Sequence, residues 1–349
     1  MTIADFDVIP VNVLTGFLGS GKTTLLKRVL SSDASGETAV LINEFGEIGI
    51  DHLLVSEIAP DTVLLKSGCV CCSIRGELKD AFLQLFSRRQ HEEIPPFRRI
   101  ILETTGLAEP APILATLLAD PVLRHHFNLG LIIAVVDCVN AELQQRSFSE
   151  WTAQVTAADR LIISKPDLVT ENKCVSLREL LTRMNPAAPI TVADEINTGD
   201  LFLLSSGLHD ETPQTEVRRW IDHMPDEAVL AAPDRTPGPH LRHQHSADDL
   251  VTSFCLLFEK EINWIGFGLW LSMLLNRYGA QILRVKGILN IAQAEYPIAI
   301  HGVQHLVHPP VHLKSWPDED RRSRIVFIVR QITREAIERS FKAFCETSR

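Results

Sequence analysis

The sequence predicts an α/β protein, in which a parallel sheet covered by helices comes first and a smaller α+β domain follows. The first half alternates short apolar runs with stretches of helical spacing, which is the pattern of strands buried on both faces. A polar stretch rich in proline and histidine then separates this half from the rest. A length of 349 residues, 45% of them hydrophobic, is enough for two cores.

The predicted elements of the first half alternate between strands and helices. The predicted strands are Val8–Thr15, Thr38–Asn43, Thr62–Leu65, Arg99–Glu103, Leu129–Asp137 and Arg160–Ser164. Helical spacing occurs in Thr24–Leu30, Gly76–Arg89, Ala111–Leu118 and Ser147–Ala158. Because parallel strands need long crossover connections, these helices are expected to cover both faces of one sheet.

The second half is predicted to be a separate α+β domain. Prolines and histidines accumulate in Ala231–His245, which indicates a linker. After it we expect, in order, a strand, a helix, three strands and a helix: Val251–Phe258, Ile265–Tyr278, Gln281–Ile291, Pro297–His305, Ser323–Val329 and Arg334–Phe344. The predicted limits are 1–225 for the first domain, 226–247 for the linker and 248–349 for the second domain.

A phosphate-binding loop connects the first predicted strand to the first predicted helix. The segment from Gly16 to Thr23 fits G-x-x-x-x-G-K-[ST]. The predicted nucleotide-binding residues here are Gly16, Gly19, Ser20, Gly21, Lys22, Thr23 and Thr24. Backbone N–H groups of such a loop surround phosphate oxygens, and the helix N-terminus adds partial positive charge. We expect Lys22 to reach the β- and γ-phosphates and the Thr23 hydroxyl to coordinate Mg²⁺. The first domain is therefore predicted to be a P-loop NTPase.

The strand Arg99–Glu103 ends in a carboxylate, which is the acidic position on the Mg²⁺ side of phosphate-loop enzymes. Glu103 is predicted to act on Mg²⁺ through a water molecule, and Lys22, Thr23 and Glu103 are the predicted catalytic residues. The N–H of Gly106 is predicted to contact the γ-phosphate, so that the segment after it would respond to hydrolysis. The alternative role for Glu103 is capping of a turn.

The segment Ser164-Lys165-Pro166-Asp167 resembles the Asn-Lys-x-Asp motif of GTPases, with Ser164 in place of asparagine. The Asp167 carboxylate can accept hydrogen bonds from both the N1–H and the N2–H₂ groups of guanine, and adenine offers no such pair. Lys165 would lie along the base. These residues favour GTP, with ATP as the alternative.

Three thiols occur within four residues at Cys69, Cys71 and Cys72. Thiolates are ligands for soft metal ions such as Zn²⁺. Because Cys71 and Cys72 are adjacent, Cys69 with one of them is the minimum ligand set. Glu47 could join them on the metal and Asp51 could approach Mg²⁺ or the γ-phosphate. The alternatives are a redox pair, inert buried thiols and, for the segment of Glu47 and Asp51, a solvated acidic loop.

Four motifs, Gly16–Thr24, Asn43–Asp51, Gly68–Cys72 and Glu103–Pro110, together resemble the CobW-like family of metal-related GTPases. They occur in the order typical of that family, whose relatives include nickel-insertion GTPases. The resemblance implies a G domain that hydrolyses GTP and transfers zinc, or cobalt as the alternative, to a client protein. It assigns the metal to Cys69, Cys71, Cys72 and Glu47. One departure is Ile42, where some relatives carry an acidic residue.

Two groups of histidines remain unassigned by these motifs. His240, His243 and His245 lie in the predicted linker, where a solvated segment and a loose metal store are equal alternatives. The second group, spaced three to four residues apart, comprises His301, His305, His308 and His312. Pro309 and Pro310 interrupt this group, so it cannot form one face of a helix.

Composition limits the partners and the location of the chain. The net charge of −10 argues against a nucleic-acid surface, and no apolar run reaches the roughly 20 residues that span a bilayer. The predicted function is a cytoplasmic zinc-transferring GTPase that uses GTP and Mg²⁺ and contacts its client through the C-terminal domain. The alternatives are a metal-sensing GTP-binding module and a phosphate-loop enzyme of cobalamin metabolism. Homo-oligomerisation is left open.

Overall fold

The computed structural model describes residues 8–30, 38–42, 64–66, 74–196, 207–209, 213–222 and 251–345. The described residues belong to two units. The first unit comprises those within 1–179 and 190–211, and the second comprises those within 180–189 and 212–349. The predicted domain limits at 225 and 248 stay a prediction.

The described strands of the first unit form one parallel sheet of seven strands. They are β1 (Ile9–Thr15), β2 (Thr38–Ile42), β3 (Leu64–Lys66), β4 (Arg99–Glu103), β5 (Phe127–Asp137), β6 (Arg160–Ser164) and β7 (Ile190–Val192). Their order across the sheet is β3-β2-β4-β1-β5-β6-β7, and every pairing is parallel. Since β1 lies between β4 and β5, its neighbours come from much later in the chain, and a crevice opens where β1 ends.

Helices follow most of these strands and cover the sheet. They are α1 (Lys22–Leu30), α2 (Ile74–Gln90), α3 (Pro110–Ala119), α4 (Pro121–His126), α5 (Ala141–Ser147), α6 (Ser149–Ala157) and α7 (Glu171–Met184), of which the residues from Leu180 onward belong to the second unit. Strands β2, β4, β5 and β6 are buried along nearly their whole length, as expected for a sheet covered on both faces. The core between sheet and helices includes Leu14, Leu26, Ile101, Ile133 and Ile162. The predicted α/β fold is confirmed.

The described strands of the second unit form an antiparallel sheet of six strands. They are β8 (Val251–Phe258), β9 (Ile282–Leu289), β10 (Ile298–Val303), β11 (Leu306–Val307), β12 (Val311–His312) and β13 (Ser323–Arg330). Its helices are α8 (Pro213–Asp222), α9 (Trp264–Tyr278) and α10 (Arg334–Cys345). Helices α9 and α10 pack on one face through a core that includes Phe254, Trp270, Phe327 and Phe341. The predicted smaller α+β domain is confirmed.

The structure adds elements that the sequence analysis did not predict. Helices α4, α5, α7 and α8 and strands β7, β11 and β12 had no predicted counterpart. Helix α4 has a clear local cause: Pro121 occupies its first turn, and the Asp120 side chain accepts hydrogen bonds from the N–H groups of Val122 and Leu123. None of the described helices is both long and apolar enough to cross a bilayer.

Candidate nucleotide site

The predicted nucleotide residues lie at the carboxyl edge of the parallel sheet. Strand β1 leads into the glycine loop, and its Leu14 pairs in register with Glu103 at the end of β4. On the other side, Asp137 at the end of β5 pairs in register with Ser164 at the end of β6. Because parallel strands end at the same edge, residues from four distant segments meet there.

The glycine loop turns sharply out of β1 before α1 begins. Gly16 has a φ of 139°, in the region that favours glycine, and a Cβ at this position would lie 2.3 Å from the carbonyl oxygen of Val135. Lys22 opens α1, and its Nζ donates hydrogen bonds to the carbonyl oxygens of Gly16 and Phe17 at 3.0 and 3.3 Å. The lysine therefore lies across the loop that is expected to hold phosphate.

Thr23 and Glu103 are brought into direct contact, although 80 residues separate them in the sequence. The Thr23 hydroxyl donates a hydrogen bond of 2.7 Å to Glu103 Oε1. Glu103 is buried at the end of β4. A hydroxyl and a carboxylate so arranged fit Mg²⁺, which takes oxygen ligands, keeps several waters and needs only one or two protein groups.

The base-recognition segment is tied to the glycine loop. The Ser164 hydroxyl donates to the carbonyl oxygen of Ser20 at 2.6 Å and lies 3.3 Å from that of Val136. Lys165 Nζ donates to the carbonyl oxygen of Gly19 at 2.6 Å. Asp167 lies in the short 3₁₀ turn that follows and is exposed, which leaves its carboxylate accessible to a base. Serine thus links the two segments in the place where the motif has asparagine.

Asp137 is a site residue that the sequence analysis did not identify. Its Oδ2 lies 2.9 Å from Lys165 Nζ and accepts a hydrogen bond from Asn140, while Oδ1 accepts one from the N–H of Val139. Burial opposes its ionisation, but the hydrogen bonds from Lys165, Asn140 and Val139 outweigh burial and hold its pKa below the ordinary value. A carboxylate at the end of an apolar strand was the signal that could have revealed it.

Gly106 lies directly against the glycine loop. A Cβ at Gly106 would lie 2.5 Å from the backbone nitrogen of Leu18, so only glycine allows this approach without displacement. The turn around it is closed by a hydrogen bond from the N–H of Ala108 to the carbonyl oxygen of Thr105 at 3.1 Å. The structure therefore places Gly106 beside the loop that is expected to bind phosphate.

The predicted transition-metal residues cannot be placed in the same way. Cys69, Cys71, Cys72, Glu47 and Asp51 lie outside the described residues, as do His240, His243 and His245. Within the described ranges, no group of three or more His, Cys, Asp or Glu side chains is arranged to hold a metal ion. His301 and His308 are buried and lie with ring centroids 3.7 Å apart, while His305 contacts the carbonyl oxygen of Leu275 and His312 is exposed.

The sheet order, the glycine loop and the Thr23–Glu103 pair define a nucleotide-binding protein of the P-loop class. Residues 10–192 match the family model for the CobW/HypB/UreG nucleotide-binding domain. Residues 251–345 match the model for the cobalamin synthesis protein cobW C-terminal domain. The chain belongs to this family, and the predicted family is confirmed.

Several characterised proteins resemble the chain over most of its length. The zinc chaperone YjiA of Escherichia coli is 33% identical over 333 residues, which covers 95% of this chain and 98% of YjiA. The zinc chaperone CobW of Pseudomonas aeruginosa is 27% identical, over 94% of this chain and 89% of that protein. The crystal structure of Zn(II)-bound YjiA GTPase superposes with a TM-score of 0.66 at 28% identity, covering 97% of this chain and 99% of YjiA.

Proposed function

We propose that this chain is a GTP-hydrolysing zinc chaperone, in which the nucleotide state controls transfer of zinc to a client protein. The contact between Thr23 and Glu103 beside the glycine loop carries the nucleotide half of the proposal. The likeness to proteins named as zinc chaperones and as a GTPase supports the other half.

Hydrolysis in this site relies on charges held at fixed positions. Lys22 would exchange its hydrogen bonds with the loop carbonyls for the β- and γ-phosphates, whose negative charge it then stabilises. Mg²⁺ bound beside Thr23 and Glu103 would supply further charge neutralisation. Gly106, which lies against Leu18, would offer its N–H to the γ-phosphate, so that the turn around it distinguishes GTP from GDP.

The proposed preference for guanine rests on the fixed position of the segment around Lys165. Its ammonium group is held between the Asp137 carboxylate and the carbonyl oxygen of Gly19, which fixes the start of the turn that carries Asp167. An exposed carboxylate on a fixed turn can accept both donors of guanine. These contacts support GTP as the nucleotide.

The pairing of β2 with β3 supports joint metal binding by the acidic loop and the cysteines. Ile42 and Lys66, the last residues of these strands, are partners in register, so their backbones lie about 5 Å apart. Glu47 follows Ile42 and Cys69 follows Lys66 within a few residues, so both segments start from one point of the sheet edge. We propose Cys69, Cys71, Cys72 and Glu47 as the zinc ligands, and Asp51 as a residue of the Mg²⁺ side.

We propose that the client protein contacts the C-terminal unit at helix α9. The exposed face of this helix carries Ile265, Leu269 and Met273, which are 72%, 59% and 54% exposed. A helix face that looks toward solvent normally carries charged residues. A cavity of about 330 Å³ lies beside the helix and is lined mainly by apolar residues, Trp264 and Val307 among them. These features suit apolar side chains of a protein partner.

A cytoplasmic location of the protein stays a prediction.

The decisive experiment measures zinc affinity in two nucleotide states. Zn²⁺ is titrated into the full chain with GDP and with a non-hydrolysable GTP analogue. We expect affinities that differ by about 5–150-fold, because a metal site that shares a loop with the γ-phosphate must be coupled to it reciprocally. The triple variant Cys69→Ser, Cys71→Ser and Cys72→Ser should lose the coupling and keep nucleotide affinity.

Equal zinc affinities in the two states would contradict the proposal, because zinc would then be structural. The same assay tests the client surface when a zinc-accepting protein that co-purifies with the chain is added. Leu269→Glu should reduce zinc transfer and leave GTP hydrolysis unchanged, whereas Leu143→Glu, at an exposed leucine of α5, serves as the control. If the Leu269 variant changes the size of the free protein instead, the helix joins two copies of the chain.

A further inference from the structure

A buried glutamine of α6 holds the turn that contains Gly106. Gln154 is 1% exposed, and its Nε2 donates hydrogen bonds to the carbonyl oxygens of Gly106 and Ala108, both at 3.0 Å. One planar amide thus uses both of its hydrogens on two carbonyl groups of the same turn. The turn is consequently fixed to α6 at two points.

The opposite side of this turn is pressed against the glycine loop. A Cβ on Gly106 would lie 2.5 Å from the Leu18 nitrogen, so the two backbones are already in contact. Helix α6 also contacts the glycine loop through Phe148, the residue before its first turn, whose ring centroid lies 4.6 Å from that of Phe17. Helix α6 therefore fixes the position of the turn relative to the loop that binds phosphate.

The environment of the Gln154 side chain indicates that it is polar because of its two N–H donors and not because of its oxygen. Among the residues that the structure describes, no donor reaches Oε1, which is buried. A buried acceptor without a partner is unfavourable, and an apolar side chain of similar size would avoid it. A residue that is less favourable for stability than an apolar alternative is expected mainly at functional positions.

We propose that Gln154 is a positioning residue for the response to the γ-phosphate. It holds the turn so that the Gly106 N–H is ready for the γ-phosphate of GTP, and it makes no contact that GDP requires. The inference rests on the proposed GTPase function and adds to it the residue that sets the position of the turn. Loss of Gln154 should therefore affect GTP and its hydrolysis but not GDP.

The first test removes both donors with Gln154→Leu. We expect kcat for GTP to fall about 10–100-fold, the magnitude that follows from losing two buried hydrogen bonds, and the affinity for a non-hydrolysable GTP analogue to fall in parallel. The affinity for GDP should stay within about twofold. The matched control is Gln144→Leu, which removes a buried amide of α5 that makes no hydrogen bond with the turn in the described part of the chain.

The inference is overturned if Gln154→Leu loses GDP affinity as strongly as GTP affinity, or if the Gln144 variant shows the same loss of kcat. Thermal unfolding of both variants shows whether either effect comes from instability. Absence of GTP hydrolysis in the unmodified chain would refute the proposed function itself. Normal hydrolysis in both the unmodified chain and the Gln154 variant would refute only the role of Gln154.

The second test uses pH, because kcat follows the protonation of a carboxyl group at position 154 only if hydrogen-bond donation from that position supports hydrolysis. In Gln154→Glu the introduced carboxylate faces two carbonyl oxygens and cannot donate, whereas its protonated form can donate one hydrogen bond. We expect kcat of this variant to recover toward that of the unmodified chain as pH falls. A pH profile parallel to that of Gln154→Leu would contradict the inference.

Discussion

The two sheets of this chain differ in where some of their buried acidic, hydroxyl and basic side chains lie. In the first unit, Glu103, Asp137 and Ser164 lie where strands end, at the edge where the glycine loop begins. In the second unit, Arg284 and Lys286 lie in the middle of β9, and Lys286 is paired in register with His301 of β10. Buried acidic and hydroxyl side chains thus lie at an edge in the first unit, and buried basic side chains lie on a face in the second.

This difference distinguishes buried polar groups that a ligand can reach from buried polar groups that only pack inside the protein. Polar groups at the carboxyl edge of a parallel sheet face a crevice that a ligand can enter. Polar groups in the middle of a covered face are shielded from solvent by the elements packed on that face. The Lys286 ammonium group, for example, lies 4.5 Å from the centre of the Trp220 ring of α8. The buried polar groups at the carboxyl edge of the parallel sheet therefore identify the site in this protein.

The largest effect is expected from the edge of the first sheet. Lys22→Ala should reduce GTP hydrolysis by about 10²–10³-fold or more and greatly weaken nucleotide binding, since it removes the cation that faces the developing phosphate charge. Thermal unfolding should change little, because the ammonium group donates to carbonyl oxygens of the glycine loop rather than packing in the core. If the unfolding temperature of Lys22→Ala fell together with its activity, the proposed difference between edge residues that bind and core residues that stabilise would be contradicted.

The opposite result is expected from the core of the second sheet. Trp270 is 1% exposed, packs against Phe341 with a ring-centroid distance of 5.0 Å and donates a hydrogen bond to the Ser340 hydroxyl. Trp270→Ala should lower the free energy of unfolding by about 3–5 kcal/mol. Nucleotide affinity should persist wherever the protein stays folded. Trp264→Ala, at the exposed start of the same helix, is the control and should cost much less in a denaturant titration.

A smaller effect is expected from Asp137, which belongs to the edge but is buried. Asp137→Asn should weaken GTP and GDP alike by about tenfold and lower discrimination against ATP, because Lys165 loses its charged partner. This pattern differs from that of Gln154→Leu, which should spare GDP. Unchanged nucleotide preference, measured by competition between GTP and ATP, would count against the assignment of Lys165 and Asp167 to the base.

Asp137 should also affect how the free energy of unfolding depends on pH in acid. Because its pKa is lowered in the folded state, its contribution to stability is fully present above its ordinary pKa of 3.8 and is lost as pH falls through the lowered value. Asp137→Asn should therefore flatten the fall of unfolding free energy below about pH 4. Glu142→Gln, which removes a partner from an exposed ion pair with Arg146, should have almost no effect on that profile.

Several elements could be predicted because their causes are local. The strands Arg99–Glu103, Arg160–Ser164 and Val251–Phe258 were predicted with the ends that the structure has, since apolar runs bounded by polar residues mark buried strands. Helix α7 was missed although Leu177, Leu181 and Met184 have the spacing of an apolar helix face, because its first half is rich in polar and charged residues. Helix α8 was missed because it lies in a stretch of polar composition next to the predicted linker.

The sequence by itself determined the class of this protein, because the glycine loop, the Ser164–Asp167 segment and the cysteines are contiguous motifs whose chemistry is set by neighbours in the chain. Only the tertiary structure decided which distant residues complete the site. Asp137 lies 28 residues from Lys165 and Gln154 lies 48 residues from Gly106, and neither pair has a local pattern. These contacts exist because parallel strands end at one edge and because α6 packs beside that edge, and such proximity is a property of the assembled sheet.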